Sequence, residues 1–209
     1  MTLTIVLDTS HPDQSTLRTV IEFITTGKTI AFPTETFYAL GVSAYNQAAV
    51  QKVFAIKGRQ YAKPLPLLIE GEQMLREVAS EIPPQATALM KEFWPGGLTL
   101  IFKARPSIPP LVTAHTDTVA VRNSSHPIAR LLVAGAACPL TATSANLSGH
   151  QSCTSPQEVA HQLAGSVDLI VDGGCTKGLL PSTIIDLTTT PPTIVREGVI
   201  SAQRIKPFL

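Results

Sequence analysis

Apolar residues along the chain fall into short blocks whose spacing switches between helical and extended. Leu17, Val20, Ile21 and Ile24 recur at helical intervals and predict a helix over 10–26, stopped by Gly27. The blocks on either side, 4–7 and 29–32, are short and β-prone. The second runs into Pro33, which lacks a backbone donor and favours an extended approach to a loop. Ala49, Val50, Val53 and Phe54 place a second helix over 46–56, with Lys57 at its end. Residues 64–69 read as a buried strand entered through prolines, which puts Lys57, Arg59 and Lys63 on the connecting loop. Helices are expected over 72–78 and 84–93, the second broken sharply by Trp94-Pro95-Gly96-Gly97. Strands over 98–102 and 119–122 come next. A helix over 127–134, capped by Ser124 or Ser125, leads to a strand over 140–143. Ser155-Pro156-Gln157-Glu158 has the cap, the N1 proline and the reciprocal glutamate of a helix start, running to Leu163. Strands over 168–171 and 182–187 flank the turn Asp172-Gly173-Gly174, and 193–196 is a last strand.

No linker, repeat or low-complexity segment divides the 209 residues, and a 44% hydrophobic content is enough for a well-buried core. The pattern predicts one α/β domain over 1–209 with a mixed sheet. Mixed is preferred to all-parallel because some strand connections hold a helix, whereas 171 to 184 holds only a turn-rich loop. Sixteen Lys+Arg against 15 Asp+Glu leave a net charge of +1, so no global basic excess draws the chain to nucleic acid or membrane. Phosphate binding, if present, is local. With no basic leader and no apolar run near the ~18 residues that span a bilayer, the expectation is an unanchored cytoplasmic protein. Cys138, Cys153 and Cys175 form no C-x-x-C pair, and His11, His115, His126, His150 and His161 are scattered. Neither a disulfide framework nor a metal site is signalled, and no metal is assigned.

Three polar clusters end apolar strands or helices. Lys57-Gly58-Arg59 with Lys63 gathers cations on one loop, the arrangement a triphosphate needs, but also that of a solvated basic loop. Pro33-Thr34-Glu35-Thr36 offers hydroxyls and a carboxylate where open α/β sheets place ligands, or serves turn formation. Ser144, Asn146 and Ser148 can ligate an anion through side chains and turn amides, or are ordinary loop residues. The P-loop, the dinucleotide fingerprint and the nucleophile elbow are all absent.

Taken in order, Pro33-Thr34-Glu35-Thr36-Phe37-Tyr38-Ala39-Leu40-Gly41, Lys57-Gly58-Arg59-Gln60, Lys63-Pro64-Leu65-Pro66, Phe93-Trp94-Pro95-Gly96-Gly97-Leu98-Thr99, Val121-Arg122, Thr143-Ser144-Ala145-Asn146-Leu147-Ser148-Gly149, Asp172-Gly173-Gly174, Pro181-Ser182-Thr183-Ile184 and Arg196-Glu197-Gly198 resemble the YrdC/TsaC family. The resemblance spans about 20–201. It implies one YrdC-like domain, a twisted mixed sheet with helices around a deep, positively charged cavity. It also implies a nucleotidyltransferase that joins L-threonine, bicarbonate or CO2, and ATP into threonylcarbamoyl-adenylate, releasing pyrophosphate, for threonylcarbamoyladenosine modification of tRNA beside the anticodon. Carried over motif by motif, Lys57 and Arg59 are the catalytic candidates. Lys57, Arg59, Lys63, Ser144, Asn146 and Arg196 would hold ATP, and Thr34, Glu35, Thr36, Arg122 and Ser182 would hold L-threonine. The departures are Ala39 for a usual Gly, Gly97 for a frequent Pro, and Asn123-Ser124 for the common apolar-Pro pair. None removes a charged ligand.

The implied chemistry gathers negative charge on the α-phosphate and departing pyrophosphate, so Lys57 and Arg59, with Mg2+ carried by the nucleotide, are the natural stabilisers. Lys57→Ala or Arg59→Ala is expected to abolish adenylate formation with the fold intact. The product implies hand-off to a tRNA threonylcarbamoyl-transferase complex, with weak or no direct tRNA binding. Two alternatives stay open: an RNA-binding module of the same fold, and a YciO-type paralogue with another substrate.

Overall fold

The computed structural model describes residues 1–8, 13–58, 61–163 and 165–209. In chain order the elements are β1 (Leu3–Val6), α1 (Gln14–Thr25), β2 (Ile30–Pro33), β3 (Tyr38–Gly41), α2 (Gln47–Lys57), β4 (Leu67–Leu68), α3 (Glu72–Val78), α4 (Pro84–Phe93) and β5 (Leu98–Lys103). There follow α5 (Pro110–Thr113), β6 (Thr118–Arg122), α6 (Pro127–Ala136), β7 (Leu140–Thr141), β8 (Thr143–Ser144), α7 (Pro156–Gln162), β9 (Leu169–Asp172), β10 (Thr183–Asp186), β11 (Thr193–Arg196) and α8 (Ala202–Ile205).

These strands build two mixed sheets, where the sequence pattern suggested one. The first has the order β1-β9-β2-β3-β8 and the second β11-β10-β5-β6-β4-β7. The split occurs inside the strand expected over 140–143. Leu140 and Thr141 pair antiparallel with β4, and two residues later Thr143 and Ser144 pair antiparallel with β3. Along the first sheet the side chains alternate between faces, as the pleat requires. Ala31, Tyr38, Leu40 and Ile170 pack with Leu67, Leu98, Leu100 and Val121 of the second sheet. Ile30, Phe32, Ala39, Leu169 and Val171 pack on the opposite face against Val20 and Ile24 of α1 and Leu132 of α6. Burial on both faces explains why β2 reads as a continuous apolar run.

Several local readings change for identifiable reasons. Asp13 caps α1, accepting from the backbone of Ser15 and Thr16, so the helix begins at Gln14; the expected start at Ser10 lies outside the described residues. β3, absent from the sequence reading, exists because Ile30–Pro33 pairs antiparallel with Tyr38–Gly41, making residues 34–37 the tip of a hairpin. α6 is capped by the His126 ring, which accepts from the Ile128 amide, because the Ser124 hydroxyl is engaged elsewhere. No helix among the described residues is long and apolar enough to cross a membrane.

Asp168 ties β9 to β2, accepting from the Thr29 amide at 2.8 Å and its hydroxyl at 2.9 Å. Desolvation pushes this carboxyl up, but the Thr29 bonds and the charges of Lys28 and Lys52 outweigh it and hold its pKa below the ordinary value. A depressed folded-state pKa gives stability that is complete above the ordinary carboxylate range and is lost as pH falls through the lower folded value. Asp168→Asn should therefore cost about 1 kcal/mol at neutral pH. Wild type and variant should converge in chemical denaturation titrated into the acid range.

Candidate functional site

The β2–β3 hairpin tip places the first set of candidate residues. Thr34 Oγ1 donates to Phe37 O at 2.7 Å and accepts from the Thr36 amide at 3.2 Å, which fixes the turn through side-chain hydroxyls. Its 3.0 Å contact with Thr36 Oγ1 lines both hydroxyls up along one wall of a cleft of about 410 Å³. Arg122, the last residue of β6, reaches the same wall and donates to Thr36 Oγ1 at 3.2 Å. The residue is 8% exposed. Burial lowers its pKa, while the charge of Glu35, 3.7 Å away, raises it. Glu35 itself is not among the cleft-lining residues: one carboxylate oxygen faces Arg122 and the other accepts from the Ser124 hydroxyl.

The opposite wall comes from the start of β10 and the end of β11. Arg196 sits at the rim, donating through Nη2 to Ser182 O at 2.8 Å and to Ser182 Oγ at 3.1 Å. Thr99 of β5 contacts Ser182 Oγ at 2.9 Å. Desolvation and the nearby charge of Arg122 both lower the Arg196 pKa, so the two guanidiniums repel across the cleft. They are the cleft's charged lining residues among the described ones, and Glu35 offsets Arg122 alone. That arrangement suits an anion bound between them. Apart from these arginines the described walls of this cleft are hydroxyls and apolar groups.

Gly198 explains the spacing of Arg196-Glu197-Gly198. A Cβ there would strike the Pro181 carbonyl and come 2.7 Å from the Ser182 carbonyl carbon, both backbone. Gly198→Ala should push 181–182 away from β11, loosening Arg196. The expected cost is about 1–3 kcal/mol, read as a lower thermal midpoint.

A second cleft of about 560 Å³ is lined by Lys57, Gly58, Lys63, Thr143, Ser144, Asn146, Ser148 and Gly149. Lys57 ends α2 instead of standing on the loop, and Gly58 terminates the helix in the left-handed region at φ 57°. The lysine is 4% exposed. Its ammonium donates to Ser144 O, to Asn146 O at 2.8 Å and to Asn146 Oδ1 at 3.2 Å. Asn146 Nδ2 then closes the turn on His150 O at 2.6 Å. The K-x-R lysine thus binds the S-x-N turn directly, 87 residues away in the chain. Lys63 is exposed beside it, and Arg59 lies outside the described residues. Thr143 and Ser144 line both clefts, so the two adjoin at this short segment.

A protein-family model for Sua5, yciO and yrdC, described as telomere recombination, matches residues 22–198. The chain belongs to the Sua5/YciO/YrdC family. A threonylcarbamoyl-AMP synthase of Pyrococcus abyssi is 42% identical over 190 residues, covering 91% of this chain and 56% of the relative. The crystal structure of P. abyssi Sua5 complexed with L-threonine superposes with a TM-score of 0.94 at 38% identity, covering 100% of this chain and 61% of that one. Escherichia coli YciO matches at TM-score 0.86 and 31% identity, covering 100% of this chain and 99% of its own. The chain therefore spans little more than half of the archaeal synthase and nearly all of YciO.

Within the Sua5/YciO/YrdC fold, the structure brings Thr34, Thr36, Arg122, Ser182 and Arg196 together at one cleft and Lys57, Lys63, Ser144 and Asn146 at the other. The sequence reading passed over Thr99 and Tyr38, both cleft-lining. Thr99 is the lone hydroxyl in an apolar strand, a signal that was available. The Tyr38 hydroxyl donates to Gly174 O at 2.7 Å, and burial raises its pKa to about 12. It braces the Asp172-Gly173-Gly174 turn, a pairing that sequence spacing does not reveal.

Proposed function

We propose that this chain synthesises L-threonylcarbamoyl-adenylate from L-threonine, bicarbonate or CO2, and ATP, releasing pyrophosphate, with residues 1–209 acting as one YrdC-like domain in the cytoplasm. The observation that carries the reading is the junction of the two clefts at Thr143 and Ser144. A cleft with two repelling arginines adjoins one lined by lysines, hydroxyls and a polar turn. The names of the synthase relative and of the L-threonine complex of Sua5 support it.

In this reading the threonine carboxylate sits between Arg122 and Arg196, with Thr34, Thr36 and Ser182 offering hydroxyls and Glu35 acting through Arg122; Arg196, for which the resemblance implied an ATP contact, is assigned here because it lines the cleft of Arg122. The amine, having lost a proton, attacks CO2 to give a carbamate and releases a second proton. A carbamate oxygen then attacks the α-phosphorus, and the bond to the bridging oxygen breaks as pyrophosphate leaves. Lys63, Ser144, Asn146 and Arg59 would hold the triphosphate, with Arg59 meeting the charge that builds on the phosphates. Lys57 keeps the turn that presents Ser144 and Asn146. Mg2+ would arrive with the nucleotide, supplying charge neutralisation along the phosphates; the hydroxyl- and lysine-lined cleft fits a metal carried on the ligand, since its described lining residues include no carboxylate. The labile product would pass to a tRNA threonylcarbamoyl-transferase.

Pyrophosphate release with ATP and bicarbonate, measured across a panel of amino acids, tests this. A signal dependent on threonine is expected; none with threonine would overturn it. The full-length match to YciO favours a second reading, a paralogue with another acceptor, which the same panel would reveal as release with a different amine. An RNA-binding module predicts instead tight RNA retention at physiological salt and no pyrophosphate release.

A further inference from the structure

The ion pair between Glu35 and Arg122 is more open than two buried opposite charges would adopt alone. Arg122 Nη1 stands 3.7 Å from Glu35 Oε1, beyond hydrogen-bonding reach, and that buried oxygen has no hydrogen-bond partner among the described residues. The reason lies on the other oxygen. Glu35 Oε2 accepts from the hydroxyl of Ser124, a residue that is 3% exposed. Ser124 is itself anchored: its Oγ accepts from the His126 amide at 3.2 Å, and Asn123 O just before it accepts from the Gly96 amide at 2.8 Å. Arg122 O accepts from the Ile69 amide at 3.0 Å, so the whole segment leaving β6 is fixed. Ser124 cannot follow Glu35 toward the arginine.

We propose that Ser124 is a positioning residue for the amino-acid cleft: by holding one oxygen of Glu35, its hydroxyl keeps the Glu35–Arg122 pair open and leaves the guanidinium available to a substrate carboxylate. The proposal rests on the function argued above. Without the hydroxyl, the Glu35 carboxylate is free to turn and meet Arg122 through two parallel hydrogen bonds, the geometry such pairs favour. The guanidinium would then be drawn back from the cleft and from Thr36 Oγ1. A ligand carboxylate would have to compete with an internal one.

The test is steady-state kinetics of threonine-dependent pyrophosphate release by Ser124→Ala and Ser124→Thr, with L-threonine binding measured by calorimetry. Ser124→Ala should raise the KM and Kd for threonine about tenfold, leaving the KM for ATP and kcat close to wild type. Ser124→Thr, which restores a hydroxyl, should recover threonine affinity. Unchanged threonine KM and Kd in Ser124→Ala would overturn the proposal. So would a parallel loss for both substrates that Ser124→Thr does not restore, which marks a structural role only. Should the alanine variant not fold, Ser124→Cys carries the same expectation, because a thiol is a weak donor. A wild-type protein that releases no pyrophosphate with threonine would instead refute the function itself, which separates the two failures.

Discussion

Arg122→Lys is expected to retain a folded protein and lose threonine affinity by about 10–150-fold, the range of a lost charge-assisted hydrogen-bond pair. Lysine keeps the positive charge that Glu35 faces, so the buried carboxylate is not orphaned, but it replaces a planar fork with a point charge. The guanidinium serves two sides at once, donating to Thr36 Oγ1 and lining the cleft toward Arg196. An ammonium on a shorter stem cannot keep both. Arg122→Ala is the harsher change, since it leaves Glu35 beside an empty space, hydrogen-bonded among the described residues to Ser124 alone. It should abolish threonine-dependent turnover and also destabilise by about 3 kcal/mol or more. Calorimetry with L-threonine and thermal denaturation read the two effects separately. Wild-type threonine affinity in Arg122→Lys would remove this residue from the amino-acid site.

Lys57→Met should damage the fold as well as the nucleotide end of the cleft, which revises the expectation that Lys57 can be removed with the structure intact. The ammonium is bound by Ser144 O, Asn146 O and Asn146 Oδ1 at a position that is 4% exposed. Methionine fills much of the volume and satisfies none of these acceptors. Ser144 O keeps the Asn146 amide as a donor at 2.9 Å, whereas Asn146 O and Asn146 Oδ1 lose the lysine, at about 1–3 kcal/mol each. Partial solvation of the turn should hold the total near ~3 kcal/mol, a fall in thermal midpoint of about 6–12 °C. Nucleotide binding should fall with it, because Ser144 and Asn146 line the second cleft and lose the cation that shapes their turn. A variant with the wild-type midpoint and lost ATP binding would mark Lys57 as a direct phosphate ligand instead.

These two residues also show how far the sequence could be read. Helix α4 and the strand Thr193–Arg196 were legible to the residue, because apolar spacing is a local signal and α4 is bounded by Pro84 at its start and Trp94-Pro95 at its end. β3 was not: Tyr38-Ala39-Leu40-Gly41 contains Ala and Gly, poor strand formers, and becomes a strand only by pairing with β2. The four-residue helices α5 and α8 are too short to show a period. Motif order was enough to gather the candidate residues. It did not assign partners: Lys57 meets a turn 87 residues away and Arg122 a hydroxyl 86 residues away, and no local pattern encodes such distances. Glu35 illustrates the limit most clearly. A carboxylate between two threonines reads as a ligand, whereas its side chain turns away from the cleft toward Arg122 and Ser124.

Ala142 is the single residue between the segment that belongs to one sheet and the segment that belongs to the other, and its amide is held by Pro66 O at 2.8 Å. This makes the floor of the site a poor place for redesign. A larger or smaller side chain at Thr143 would alter both clefts together, and a one-residue insertion at 142 would throw two sheets out of register. Engineering of acceptor range belongs on the far wall, at Thr99 and Ser182, where the side chains face the amino-acid cleft alone.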